Sequence, residues 1–520
     1  MEKNGQIVPL REISLDDVQE ITWDVHLANR KASFYQFQGL LGESDNYKTR
    51  PPLRNAGVAG DSNRAQQLEI DEGEKVITAT KGVPSEIVEF KNSKSFIPIE
   101  TLGELQTDDQ GRLLVLGGRG KSASTSNPPA ITDFSNNDHW FDDVSDGPVK
   151  ATITLKGQTQ QIVAEAAWVV VAPPDFAPAI GNVVTLYDTL YDLAVRELSI
   201  AMVNGKPVNG IYGEYEYQTS SGTMQTSKGL KRLLELNTAW KQNTWTQISP
   251  SFTEEIFPIL LRAYSMRWVY QPLEVQDPHQ ILARWKDLAN NATSGPAATL
   301  RDSVFNRIRN PDAPNHSDDS LMPRVFGDDW LDKHNKLLEY LTLTRTQYAL
   351  LEQWHSGHFQ SDWNPPTKPT QEQITPEGLD LAALENCVGG GFHPGFEVGW
   401  LIRKREIFSE PFRLKQDAIL APGSPSLAVR AGFFTQQMGI PWQADSHDCL
   451  RERNQNGHDF AWWPGQRPDD VYQSAADVAT GKMVPWTRNL SGTYLDIVNR
   501  WSTLRFVVQE GNVYIEQQEA

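Results

Sequence analysis

The strongest constraint on this chain is a change of period near residue 182. Before it, apolar residues come in short runs: Ile21-Thr-Trp-Asp-Val-His-Leu27, Lys75-Val-Ile-Thr-Ala-Thr80, Leu113-Leu-Val-Leu116, Ala151-Thr-Ile-Thr-Leu155 and Ala167-Trp-Val-Val-Val-Ala172. Each is bounded by Gly, Pro, Asp or Asn, and its β-branched and aromatic residues suit a pleated, half-buried surface. Thr107-Asp-Asp-Gln-Gly111 and Asp146-Gly-Pro148 read as turns between such strands. From Asn182 onward, Leu186, Leu190 and Ala194 recur at helical spacing. Strands first and helices after predict an α+β fold. Its β-rich N-terminal part, residues 1–240, holds antiparallel sheets, and its C-terminal part, residues 241–520, is mainly helical.

Further helices are expected downstream. Ser251-Phe-Thr-Glu-Glu255 is a start signal for a helix through Met266, and Asp328-Asp-Trp330 precedes an amphipathic stretch through Leu337, Leu341, Thr344, Tyr348 and Leu351, closed by Gly357 and His358. Residues 290–320, rich in Asn, Ser, Asp and Pro, read as surface loop, and Asn364-Pro-Pro-Thr-Lys-Pro369 as a boundary.

A net charge of −18 argues against a nucleic-acid partner, which needs clustered Lys and Arg. Without an apolar run of about 18 residues or a signal-peptide pattern, a membrane span and Sec export are not expected. The expected address is cytoplasmic, or exported by another route. With 520 residues and 39% hydrophobic content the chain can bury a large core. Its two cysteines, Cys387 and Cys449, provide no disulfide framework and read by default as reduced thiols.

Several motif-like strings carry ordinary explanations. Gly117-Gly-Arg-Gly-Lys-Ser122 lacks the first glycine of a phosphate loop, with Val115 in its place, and no helix clearly follows. His447-Asp-Cys449 with His458 matches no zinc spacing, and Asp445 and Asp448 suit surface loops. Asp142-Asp-Val-Ser-Asp146 reads as solvated turn chemistry rather than a calcium site. His355 and His358 read as helix C-terminal residues complementing the dipole, and Trp354 and Trp363 as core.

Chemistry concentrates in the last third. Glu385-Asn-Cys387-Val-Gly-Gly-Gly-Phe-His-Pro394 sets a cysteine in a glycine-rich turn, and Trp462-Trp-Pro-Gly-Gln-Arg-Pro468 places a tryptophan pair about 75 residues on. A cysteine and a tryptophan can be joined and oxidised to a quinone. Gly389, Gly390 and Gly391 permit positive φ and close backbone approach, which such a crosslink needs and any tight turn also uses.

These strings, with Pro441-Trp-Gln-Ala-Asp445 and, earlier in the chain, Lys31-Ala-Ser-Phe-Tyr35, Arg112-Leu-Leu-Val-Leu-Gly-Gly118, Asn137-Asp-His-Trp-Phe-Asp-Asp-Val144 and Met322-Pro-Arg324, resemble the lysine ε-oxidase and glycine oxidase family of quinoprotein amino-acid oxidases. The likeness covers nearly the whole chain. Family members usually begin with a further segment of a few dozen residues that is missing here, so the first sheet is expected to lose a strand and expose an edge.

The resemblance implies a cysteine tryptophylquinone made from Cys387 and Trp463, with Trp462 as the alternative tryptophan. It implies oxidation of an amino acid's primary amine by dioxygen, giving an aldehyde or oxo acid, ammonia and hydrogen peroxide. The family places an aspartate shortly before the cysteine as base. Asp380 is the nearest here, with Glu385, Asp445 and Asp448 as alternatives. Arg467 is a candidate for a substrate carboxylate, against a role in anchoring its own turn, and His355 is a weaker candidate for substrate contact. A flavoprotein modifying enzyme and a homo-oligomer are the expected partners. The wording around Trp462 leans toward the glycine-oxidase branch. The competing readings are a noncatalytic binding or scaffold member, and a flavin or metal oxidase with another site.

Overall fold

The computed structural model describes residues 12–37, 51–83, 85–198, 228–270, 284–314, 340–365, 376–390, 398–415, 428–448 and 467–518, with short pieces between them. Trp462, Trp463, Gly391 and Cys449 lie outside the described residues, as do 326–339 and 366–375.

The N-terminal part is antiparallel β. Its strands are β1 (Val18–Val25), β2 (Ala28–Asn29), β3 (Ile70–Asp71), β4 (Lys75–Thr80), β5 (Val88–Lys91), β6 (Thr101–Thr107), β7 (Leu113–Gly117), β8 (Ser122–Ser124), β9 (Trp140–Asp142), β10 (Ser145–Leu155), β11 (Gln161–Val163) and β12 (Ala167–Val171). The main sheet runs β3-β2-β10-β1-β4, with β11 and β12 also paired to β10, and β5-β6-β7 form a separate meander. In register, Ile21 faces Ile153 and Ala79, and Trp23 faces Ala151 and Ile77. Ile21, Ile77 and Ala79 are buried, and the Trp23 indole donates to the Gly111 carbonyl at 3.0 Å. Alternation thus puts one face of β1 and β4 into the core.

Helices follow: α1 (Leu186–Arg196), α2 (Lys228–Gln242), α3 (Phe257–Ser265), α4 (Pro296–Phe305), α5 (Arg345–Ser356), α6 (Pro376–Glu385) and α7 (Trp442–Asp448). Thr185 and Asp188 close a capping box on α1, and Leu186, Leu190, Leu193 and Ala194 form its buried stripe. Ser251 caps a π-helical turn over Phe252–Ile256 that leads into α3, where the start signal predicts it. Trp354 is fully buried, and Gly357 ends α5 at φ 85°.

Four expectations fail. Asp146-Gly-Pro148 is not a turn but the interior of β10, where Gly147 is required because a Cβ would lie 1.7 Å from the His26 carbonyl oxygen. The amphipathic stretch is not helical at Leu341, which is buried ahead of the helix, and α5 begins only after its cap Thr344; Leu337 lies outside the described residues. The supposed loop 290–320 contains α4, announced by Gly295 at φ 82° and Pro296 in its first turn.

The fourth is the acidic run Asp142–Asp146, which is buried rather than solvated. Asp142 forms an ion pair with Lys31 at 2.5 Å, both side chains fully buried, and Asn29 donates to its carboxylate at 2.9 Å. Asp146 accepts from the Thr435 hydroxyl at 2.6 Å, the Thr435 and Phe434 N–H groups at 2.9 and 3.0 Å, and the Trp168 indole at 2.9 Å. Arg54 donates to the carbonyls of Lys31, Ser135, Gln436 and Gln437, and Arg30 to that of Ala431. This polar seam joins the first sheet to residues 430–437, and it satisfies groups whose burial is otherwise costly. The glycine string 117–120 is likewise structural. It links β7 to β8 rather than to a helix, and Cβ atoms at Gly118 and Gly120 would strike Asp143 and Trp501.

Candidate active site

Cys387 stands two residues beyond α6, in a turn held by the start of α1. Its N–H donates to Leu384 at 3.2 Å, its carbonyl accepts from the Leu186 N–H at 2.8 Å, and Gly389 donates to Val184 at 3.0 Å. The Thr189 hydroxyl donates to the Gly389 carbonyl at 2.6 Å. A Cβ on Gly389 would lie 1.8 Å from the Thr185 carbonyl oxygen, so that glycine is needed for close approach, though neither it nor Gly390 adopts positive φ. The approach is to the backbone ahead of α1.

The Cys387 thiol donates to the Ala383 carbonyl at 3.4 Å and packs on the main apolar cluster. Burial pushes its pKa up to about 12, with the nearby Asp175 carboxylate adding to the effect, so the thiol is protonated at neutral pH. Asp175 itself is pushed up to about 7 by burial, against the N–H of Ala177, which donates to it at 2.9 Å. Sequence reasoning missed Asp175. It lies more than 200 residues before the cysteine, and Pro173-Pro174 beside it signals only a turn.

The other candidates disperse. Asp380, on α6, pairs with Arg413 at 3.1 Å. Glu385 lies near Arg262 and Asp188, and desolvation raises its pKa. Asp445 is fully buried within α7 rather than on a surface loop. His355 stacks on Phe305 with 4.4 Å between centroids and bonds Asp302 at 2.6 Å, so its contacts lie on α4. Arg467 is buried, donates to its neighbour Pro468 at 3.2 Å and sits 5.5 Å from the Trp486 ring. Among the described residues, no group of three or more His, Cys, Asp or Glu side chains is placed to hold a metal ion.

Residues near the two halves of the expected crosslink converge. Trp486 packs on Phe176 at 4.5 Å, Phe176 adjoins Asp175, and the Asp175 charge acts on Cys387. Arg467, over that same Trp486, follows Trp463 by four residues, a span of at most about 14 Å. Between α1, α6 and β12 lies a cavity of about 170 Å³, walled by apolar side chains and the Asp380–Arg413 pair. On the far side of the Gly389-Gly390 turn, a more polar cleft of about 310 Å³ is lined by Asp192, Arg196, Arg345 and Arg403.

Residues 1–171 match the family model "L-Lysine epsilon oxidase N-terminal", and residues 324–469, which include Cys387, Trp462 and Trp463, match "L-lysine epsilon oxidase C-terminal domain". The L-lysine 6-oxidase of Marinomonas mediterranea is 27% identical, over 95% of this chain and 77% of that protein. A solved structure of the epsilon-lysine oxidase from the same organism superposes with a TM-score of 0.72 at 24% identity, covering 97% of this chain and 84% of that one. A second, described as the Schiff base intermediate of that enzyme with L-Lys, gives 0.70 at the same identity and coverage.

Proposed function

This chain belongs to the L-lysine epsilon oxidase family, and on that premise we propose that it is a quinone-dependent amino-acid oxidase. The substrate amine, dioxygen and water give a carbonyl product, ammonia and hydrogen peroxide. The observation that carries this reading is Cys387, a thiol fixed by a glycine-backed turn near an acid poised close to neutrality. The residues present suit a cysteine tryptophylquinone. The thiol is protonated at neutral pH, and Arg467, four residues after Trp463, is buried beside Trp486, which packs on the Phe176 next to Asp175. Once formed, the cofactor supplies an electrophilic carbonyl that no unmodified side chain offers.

The chain's own residues then bind, orient and move protons. Asp175, whose charge acts at the Cys387 position, is the group we assign to hold or release a proton beside that sulfur near pH 7. We assign proton transfer to it rather than to Asp380, whose partner is Arg413. The Thr185 cap, Thr189 and Gly389 fix the turn so that the sulfur does not drift. A flavoprotein that completes the crosslink and a homo-oligomeric assembly belong to the same proposal, as does the division into a β-rich part, 1–240, and a quinone-bearing part, 241–520.

The test is peptide mapping of protein co-produced with its flavoprotein. Two ring C–H bonds become C=O, and one S–H and one C–H give way to a C–S bond, so the linked peptide gains two oxygens and loses four hydrogens. Unmodified Cys387, Trp462 and Trp463 in well-folded protein made with a competent partner would reduce the chain to a noncatalytic binding or scaffold member.

A further inference from the structure

The cavity of about 170 Å³ shares its wall with the cysteine. Leu186, Ala383 and Leu384 line it, and these same residues make the three hydrogen bonds to Cys387. Its other walls are apolar, among them Trp168, Leu190, Ile402, Phe408 and Phe434. The charged exception is the Asp380–Arg413 pair, only 20% and 15% exposed at its side chains. Trp168 and Phe434 are both held from behind by Asp146, so this wall is rigid.

We propose that this cavity is the amino-acid pocket, and that it takes an α-amino acid with an uncharged apolar side chain rather than lysine or glycine. The proposal rests on the oxidase reading and names its substrate class. Arg413 offers a planar fork suited to the α-carboxylate, and Asp380, 3.1 Å from it, offers an acceptor for the α-ammonium. A zwitterion entering between them exchanges one ion pair for two. The volume equals roughly five or six waters at ~30 Å³ each, which is room for a small amino acid. The second ammonium of lysine would face aromatic and aliphatic carbon without a partner. Glycine would leave those walls without contact.

Calorimetric titration of L-leucine, glycine and L-lysine into the chain made without its modifying partner tests the pocket independently of turnover. L-leucine is expected to bind at least tenfold more tightly than the other two. Arg413→Gln should weaken L-leucine roughly 10- to 100-fold through loss of a charge-assisted contact. If that variant does not fold, Ala383→Leu decides: its added side chain fills the cavity and should abolish binding while thermal unfolding stays cooperative. Equal affinity for the three ligands, no binding of L-leucine, or full binding by Ala383→Leu overturns the proposal. Peptide mapping separates the two ideas. L-leucine binding without a crosslink removes the oxidase and keeps the pocket. Crosslinked protein that yields peroxide from glycine or L-lysine but not L-leucine keeps the oxidase and removes the pocket.

Discussion

The polar seam beneath the first sheet and the surroundings of Cys387 both hold a carboxyl group whose proton affinity burial raises, Asp146 in one and Asp175 in the other, yet they compensate that burial to different extents. In the seam, the Asp142 carboxylate meets Lys31, and four donors converge on Asp146. Beside the cysteine, Asp175 receives the Ala177 N–H, and burial lifts both its pKa and that of the thiol. The first arrangement satisfies its charges and fixes one packing. The second opposes the burial of Asp175 with the Ala177 N–H and leaves its pKa near neutrality, which is the condition a site for proton transfer needs.

Breaking the seam should have the largest effect. Lys31→Met strands the buried Asp142 carboxylate and is expected to cost about 3–5 kcal/mol in urea unfolding, while adding Asp142→Leu should recover most of it. If the single change costs under ~1 kcal/mol, the seam is not the rigid member of the comparison. Gly389→Ala comes next. Its Cβ meets the Thr185 carbonyl, so a loss of roughly 2–3 kcal/mol is expected, together with less crosslinked peptide.

The smallest expected effect has the opposite sign. A carboxyl whose folded pKa is about 7, raised from an ordinary value near 3.8, adds stability that is complete below pH 3.8 and lost as pH rises through 7. Asp175→Asn should therefore match the parent at pH 3.5, exceed it by about 1–3 kcal/mol at pH 8, and remove its part of the slope between. An unchanged slope across that window would show that Asp175 is not displaced and would dissolve the contrast.

Much of the fold is legible in sequence where local pattern decides it. β4 and β12 fall almost residue for residue on their runs, and the start at Ser251 and the stop at Gly357 use local chemistry. Errors arise where the deciding partner is distant. Asp142 and Asp146 read as solvated because their partners, Lys31 and Thr435, stand 111 and 289 residues away. Leu341 fits the helical spacing of Thr344, Tyr348 and Leu351, yet the helix starts only after the Thr344 cap. At the site, Cys387 and its glycines announce themselves, whereas Asp175 and Arg413 carry no motif and become candidates only when the chain brings them to α6 and the turn after it.

The pairing of Val184–Leu186 with the Cys387 turn also sets an order of events. The thiol's backbone is docked on the first turn of a capped helix through contacts that need no cofactor. On the proposed reading, a modifying enzyme would meet a finished shape, a surface assembled from segments about 200 residues apart, and a short peptide carrying Cys387 alone would lack that address.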